Sequence, residues 1–301
     1  MRILVTGGTG FIGKYLVKSL LEKGHNITIF DDFSNSTKDS ISSLIDKGIK
    51  VIEGDITKKS EIVSALKDIE IVIHLAAKIS VSESINNPEE TFQVNVEGTK
   101  NVLAACKENH VKKIIAASSA AVYGEGIKDK KLTEELTTNP ISPYGESKMR
   151  MEQEIHDFEL KHGINCIILR FFNIFGIGQT SEYAGVITKF LEKIKNEQPL
   201  EIFGDGFQTR DFVSIEDIVY AINNAILYGK SGIYNIASGK ATTINELAEF
   251  MISVSNKDLE IRHLPELEGD IRNSEADISL AKIELRFSPK YGLDKIKELL
   301  D

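Results

Sequence analysis

Short β-branched and aliphatic runs alternate with longer stretches of amphipathic spacing from the N-terminus to Leu169. The runs Arg2 to Val5, Asn26 to Phe30, Lys50 to Glu53, Ile71 to His74, Lys113 to Ala117 and Asn165 to Leu169 predict strands. The stretches Ile12 to Glu22, Ser60 to Leu66, Pro88 to Glu108 and Pro143 to Lys161 predict helices between them. Such alternation makes an α/β protein with a parallel sheet and helices on both faces. After Asn173 the rhythm changes to helices with short, scattered strands, broken by Gly176-Ile177-Gly178 and Gly204-Asp205-Gly206. The change predicts one domain over residues 1–173 and a smaller C-terminal α/β lobe over 174–301, with some segments returning to the first sheet. Leu293, Ile296, Leu299 and Leu300 recur at helical spacing, which predicts a docked helix in the charged tail Asp294 to Asp301.

A chain of 301 residues with 42% hydrophobic and 27% charged residues has the makeup of a globular protein with a sizeable core. Its apolar runs are strand-sized, too short to span a bilayer. The first of them, Ile3 to Val5, ends in glycines instead of the small-residue cleavage site of a signal peptide. Cys106 and Cys166 are the only cysteines and both lie in apolar stretches, so neither a disulfide framework nor a cysteine-rich metal site is expected, and a cytoplasmic setting is. His74, His110, His156, His162 and His263 have no metal-ligand spacing, and no metal is expected. Lysines and arginines number 36 against 45 acidic residues, a net charge of -9. That balance argues against a nucleic-acid surface and leaves room only for a local basic pocket.

The first strand runs into Thr6-Gly7-Gly8-Thr9-Gly10-Phe11-Ile12-Gly13, with Gly7, Gly10 and Gly13 three apart at the start of a helix. Glycine lets backbone amides approach a pyrophosphate, and the helix N-terminus offers unpaired N–H groups to negative charge. A tight turn also needs glycine for structure alone; the context separates the two. The second strand ends at Asp31-Asp32, where a carboxylate accepts hydrogen bonds from an adenosine ribose, in a Rossmann-like unit. Asp31 would pair with the ribose hydroxyls of NAD and repel the extra phosphate of NADP, and no arginine between Asp31 and Ser36 reverses that.

The strand from Lys113 ends at Ser118-Ser119, and Tyr144 and Lys148 follow at a spacing that puts both on one helix face. A nearby ammonium favours phenolate, so Lys148 is expected to lower the pKa of Tyr144 and make it a base, with Ser119 holding a substrate hydroxyl or carbonyl. In isolation a tyrosine and a lysine at this spacing would equally be a core-edge ring and a solvated charge. The glycine loop in the same sheet favours chemistry.

The ordered series TGGTGFIG, DDFSNS, GDI, HLAA, SSAAVYG, YGESK, RFFNIFG and GDGFQTRDFV resembles the extended short-chain dehydrogenase/reductase superfamily, and within it the UDP-glucose 4-epimerases, over nearly the whole length. The resemblance implies tightly bound NAD that takes a hydride from sugar C4 and returns it to the other face of a 4-keto sugar. Residues 1–173 then form the NAD-binding Rossmann domain, and 174–301 the substrate lobe for a UDP-sugar. By position, Gly7, Gly10, Phe11, Ile12, Asp31, Asp32, Asn35, Ser36, Asp55 and Ile56 match cofactor-binding residues. Leu75, Ala76, Ala77, Asn95, Ser118, Tyr144, Lys148 and Phe172 match others toward the nicotinamide. Tyr144 matches the base, with Ser119 beside it. On the substrate side the matches are Ser119, Tyr144, Asn173, Val186, Ile202, Phe203, Arg210, Asp270 and Arg272, with Val186, Ile202 and Phe203 as uridine-pocket walls. Arg210 matches an arginine that binds the diphosphate, for which its planar fork is suited, the alternative being a salt bridge with Asp211. A homodimer through the helices 88–108 and 143–161 is also implied.

Three departures sharpen the reading. Related dehydratases and decarboxylases carry an acid just after the catalytic serine or threonine, where this chain has Ala120 and Ala121, which exchange no proton. Leu267 stands where many epimerases have a second diphosphate-binding arginine; Arg272 is a candidate replacement, or else an ordinary surface arginine. Ser274 aligns with a bulky tyrosine of strict hexose epimerases, and a small residue there leaves room for an N-acetyl group. The competing readings are another sugar-nucleotide enzyme, namely a uronate epimerase, a decarboxylase or a reductase, and a non-catalytic NAD-sensing protein of the same fold.

Overall fold

The computed structural model describes residues 1–128, 130–179, 185–267 and 269–300. The strands are β1 (Arg2–Thr6), β2 (Asn26–Asp31), β3 (Lys50–Glu53), β4 (Ile71–His74), β5 (Lys113–Ser119) and β6 (Asn165–Phe171), followed by β7 (Asn173–Phe175), β8 (Leu200–Phe203), β9 (Thr209–Ser214), β10 (Gly232–Ile236), β11 (Ala241–Thr243) and β12 (Ile261–Leu264). The helices are α1 (Phe11–Glu22), α2 (Ser42–Ile45), α3 (Lys59–Ala65), α4 (Val81–Asn86), α5 (Pro88–Phe92), α6 (Thr99–Glu108), α7 (Pro143–His162), α8 (Val186–Lys195), α9 (Ile215–Tyr228), α10 (Ile244–Ser255) and α11 (Ser279–Glu284). Among the described residues seven strands form one parallel sheet in the order β3-β2-β1-β4-β5-β6-β10.

Burial explains the layers. Along β1, Ile3 and Val5 face one core and Leu4 the opposite one, as the two-residue period of a strand requires. The first core gathers Leu16, Val17 and Leu20 of α1 with Ile218 and Ile222 of α9. The second gathers Ile62 of α3, Val102 and Cys106 of α6, and Met151 and Ile155 of α7. Strands buried on both faces read as continuous apolar runs, which is why these were visible in the sequence. Strand β10 pairs with β6 and α9 packs on α1, so both complete the large sheet from beyond residue 173. Helix α11 also packs on β10, with Ala281, Leu285 and Phe287 in the first core, while the three-stranded sheet β11-β9-β7 and the parallel pair β12-β8 surround a separate core of α8 and α10.

Two expected helices differ. The stretch Pro88 to Glu108 is not one α-helix: α5 and α6 are joined by a π-helical segment, Gln93–Gly98. Its cause lies outside the helix, because Asn95 is drawn to Lys78 and Ser147 and Gly98 passes so close to Ile56 that a Cβ would stand 2.6 Å from its Cδ1. The tail is a 3₁₀ helix, Leu293–Leu299, instead of an α-helix; only Ile296 is fully buried and no side chain caps its first turn.

The turn between β1 and α1 is a close approach of two backbone segments. Gly7 has φ +66°, and a Cβ on Gly13 would lie 2.5 Å from the Gly7 carbonyl oxygen. Only hydrogen fits there. Gly13→Ala is therefore expected to lower stability by about 1–3 kcal/mol, the usual range for overpacking; a urea-unfolding midpoint unchanged from the parent would contradict this.

Candidate functional site

A cavity of about 460 Å³ runs along the carboxyl ends of the sheet strands, where open α/β sheets hold ligands. It is lined by Gly7, Gly10, Phe11 and Ile12 after β1, by Asp31, Asp32, Asn35 and Ser36 after β2, and by Asp55 and Ile56 after β3. Leu75, Ala76 and Ala77 continue the wall after β4, and Ser118, Ser119, Tyr144, Lys148, Phe172, Asn173 and Val186 close the far end. Helix α1 begins on Gly10 with no side-chain cap and no acid in its first turn, so its leading amides face the cavity end uncompensated. The Asp31 carboxylate accepts from the amides of Thr9 and Phe33, both at 3.0 Å, and pins the glycine loop beside itself. These features fit a dinucleotide: the glycines let its pyrophosphate reach backbone amides, and Asp31 keeps lone pairs free for ribose hydroxyls.

Helix α7 starts where it does for local reasons. The Ser142 hydroxyl accepts the Gly145 amide at 3.1 Å, Pro143 takes the first helical position, and Gly163 ends the helix at φ 67°. Gly145 also lets the helix touch the Ala121 carbonyl, since a Cβ there would sit 2.6 Å from it. Tyr144 and Lys148 thereby project from successive turns toward the end of β5. The Ser119 hydroxyl accepts the Ala121 amide at 3.2 Å and lines the same end of the cavity as the Tyr144 phenol. Lys148 is buried, and its Nζ donates to the Ala117 carbonyl at 2.9 Å.

The electrostatics correct one expectation. Burial raises the pKa of Tyr144 and the Ser119 hydrogen bond pulls it back only in part. Lys148 gives one of its three N–H donors to a carbonyl, and burial pushes its own pKa down to about 8, with the Glu152 charge opposing that fall. The net shift of the Tyr144 phenol is upward, set by burial.

Behind the cavity wall runs a chain of side-chain hydrogen bonds. Thr99 gives its hydroxyl proton to the Asn95 carbonyl at 2.7 Å, so His74 Nε2, 2.9 Å away, is the donor to Thr99. His74 Nδ1 then accepts from Thr6 at 2.7 Å, and Thr6 in turn accepts the Ala76 amide at 3.3 Å. Burial, with Lys148 nearby, holds the imidazole pKa down to about 3, which keeps it neutral. Asn95 belongs to this chain and not to the cavity lining: its side chain bonds the amide and carbonyl of Lys78 and the Ser147 hydroxyl, which donates to the Tyr144 carbonyl. Ser118 lines the cavity but gives its hydroxyl to Glu152 at 2.5 Å.

The substrate-side residues are less gathered. Ile202, expected in a pocket wall, is buried in the core of the C-terminal lobe, because alternation along β8 turns Leu200 and Ile202 inward against α8 and α10. Phe203 lines a small separate crevice with Asp270 and Arg272. Arg210 is paired with Asp270 at 2.5 Å and also donates to the carbonyls of Thr209 and Ile271. Asp211, the alternative partner, instead accepts from Ser238, Gly239 and Ala276. Arg272 makes a two-pronged ion pair with Asp205, 2.6 Å on each side, at the surface. Cavity residues that the sequence reading did not single out include Lys78, Val94, Gln179, Ile187 and Phe212. Nor did it single out Ser84, whose hydroxyl accepts the Tyr144 amide at 3.1 Å. Lys78 and Gln179 come from connections, Val94 from the π-helical segment, and Ser84, Ile187 and Phe212 from α4, α8 and β9, elements that no motif marks.

Comparison with known proteins agrees with this geometry. The model of the NAD dependent epimerase/dehydratase family matches residues 3–237. A relative from Methanocaldococcus jannaschii is 40% identical over 253 residues, 83% of this chain and 81% of its own length. The crystal structure of UDP-glucose 4-epimerase from Thermotoga maritima, with UDP-glucose, has a TM-score of 0.94 at 32% identity, covering 100% of this chain and 97% of that one. UDP-N-acetylglucosamine 4-epimerase from Methanobrevibacter ruminantium, in complex with UDP-N-acetylmuramic acid, has a TM-score of 0.92 at 36% identity, covering 99% and 95%. This chain belongs to the NAD dependent epimerase/dehydratase family, and its cofactor is NAD.

Proposed function

We propose that the chain is a UDP-hexose 4-epimerase that interconverts UDP-glucose and UDP-galactose, and UDP-N-acetylglucosamine and UDP-N-acetylgalactosamine as well. The observation that carries this reading is the meeting of Ser119, Tyr144 and Lys148 at one end of the dinucleotide-shaped cavity, with no acid at Ala120 or Ala121. When bound, NAD supplies reversible hydride exchange at the sugar C4. Ser119 positions the C4 hydroxyl against Tyr144, and the phenolate of Tyr144 takes its proton. Burial disfavours that phenolate, and the Lys148 ammonium, one turn along α7, is the cation placed to offset it. The same phenol returns the proton when the sugar is reduced from its other face, so the reaction consumes no redox equivalent. Asn173 and Phe172 border the sugar; Arg210, shared with Asp270, and Arg272, shared with Asp205, serve the diphosphate.

Purified protein incubated with UDP-galactose is expected to form UDP-glucose, and Tyr144→Phe to lose about 10²–10⁴-fold in turnover, the span of a positioned acid–base group. Failure of the parent chain with NAD added would reject the reading.

The wider substrate range rests on Ser274, which is buried beside Thr209, its amide donating to the Thr209 hydroxyl at 3.2 Å. A bulky ring there would press on the strand that carries Arg210. Initial rates on the acetamido pair are expected within about tenfold of those on the hexose pair, a gap of about 1.4 kcal/mol; no detectable acetamido turnover would confine the enzyme to hexoses.

A homodimer through the faces of 88–108 and 143–161 completes the proposal. Light scattering at working concentration is expected to give twice the 33.4 kDa chain mass, and a monomer would overturn it.

A further inference from the structure

One buried ion pair lies beneath the site and belongs to neither the cofactor nor the substrate contacts. Tyr144, Lys148 and Glu152 follow one another at four-residue intervals along α7, and both Lys148 and Glu152 are buried. The Glu152 carboxylate is fully engaged. Arg170, near the end of β6, donates to it twice, Nε at 2.9 Å and Nη2 at 2.7 Å, and Ser118, at the end of β5, donates at 2.5 Å. Arg170 is itself buried, stacks on the Tyr123 ring at 4.7 Å, and is held away from water. Three donors converge on the one carboxylate, and the two strand ends fix where it lies.

We infer that Glu152 is a positioning residue for Lys148: clamped by Arg170 and Ser118, it fixes a negative charge one turn along α7 from the buried ammonium. The charged and titratable groups around the ammonium support this balance. His74, from β4, is neutral and cannot compensate it. Tyr144, on the same helix, is uncharged until it gives up its proton. Arg170, from β6, is a second cation whose charge Glu152 must also offset. Glu152 is thus the anion the ammonium feels, and it opposes the effect of burial on Lys148. Ser118 adds a mechanical link, because it is the neighbour of Ser119 and ties the strand end to the same helix as Tyr144.

The inference rests on the reading of Lys148 as the cation that serves Tyr144, so its test uses a readout independent of turnover. Lys148 in the purified full chain is labelled by a small amine-reactive anhydride across the neutral-to-alkaline range and read by peptide mass spectrometry. The parent chain is expected to show a reactivity midpoint near 8, and Glu152→Gln a midpoint lower by about one unit. The alkaline limb of epimerase activity should move by the same amount. Where the single variant does not fold because Arg170 is stranded, Glu152→Gln combined with Arg170→Gln removes both charges. That double variant is expected to lower the midpoint by less than a unit. A folded variant, single or double, whose Lys148 midpoint stays at the parent value reduces Glu152 to a structural brace and overturns the inference. An inactive parent chain with a shifted Glu152→Gln labelling midpoint would instead reject the proposed reaction and leave the inference standing.

Discussion

The ends of β1 and β4, the π-helical segment and α7 meet through His74, a side chain whose two ring nitrogens must both be satisfied away from water. An unpaired buried polar group costs about 1–3 kcal/mol, so both ring nitrogens are matched, and the Thr99 proton committed to the Asn95 carbonyl decides which of them donates. One nitrogen receives from Thr6 and the other gives to Thr99, and Thr99 passes its own proton to the helix backbone at Asn95. That bond is made in a segment already widened to the π form. Asn95 is consequently turned toward Lys78 and Ser147, and the start of α7 is fixed against the cavity. A run of hydrogen bonds thus connects His74, behind the cavity wall, to the Tyr144 carbonyl by way of Thr99, Asn95 and Ser147.

Charge is handled by a different rule in the same layer. Lys148, Glu152 and Arg170 are buried together, and their desolvation is offset by geometry: a forked pair, a serine hydroxyl and a strand carbonyl. The sum is one surplus positive charge facing the cavity. A surface arrangement of the same groups would be screened by solvent and would exert little influence on a phenol.

What was legible in the sequence follows from how each feature is encoded. Six of the seven sheet strands were readable because burial on both faces leaves unbroken aliphatic runs, though β5 continues to Ser119 and β6 to Phe171, and β10 was not singled out. The glycine loop and the Tyr144–Lys148 pair were readable because local spacing sets them. The break in the helix after Phe92 was not, since it depends on partners of Asn95 far along the chain. Glu152 passed as one more helix carboxylate, for glutamate is rarely buried unless paired, and its partner Arg170 is eighteen residues away on a strand. Ile202 was misplaced because an apolar residue near a loop suits a ligand wall and a core equally well, and only the alternation along β8 decides between them.

Strand β10 has a consequence for how the molecule is divided. It lies parallel on the outer side of β6, and α9, the helix before it, packs on α1. The polypeptide therefore leaves the large sheet after β6, builds part of the smaller lobe, returns to finish the sheet and leaves again. A chain cut at residue 173 would bare the hydrogen-bonding edge of β6 and the apolar face of α1, an invitation to edge-to-edge aggregation. Exchange of the smaller lobe between relatives, whether by recombination or by design, must then be made at several crossover points, with β10 and α9 retained in the host.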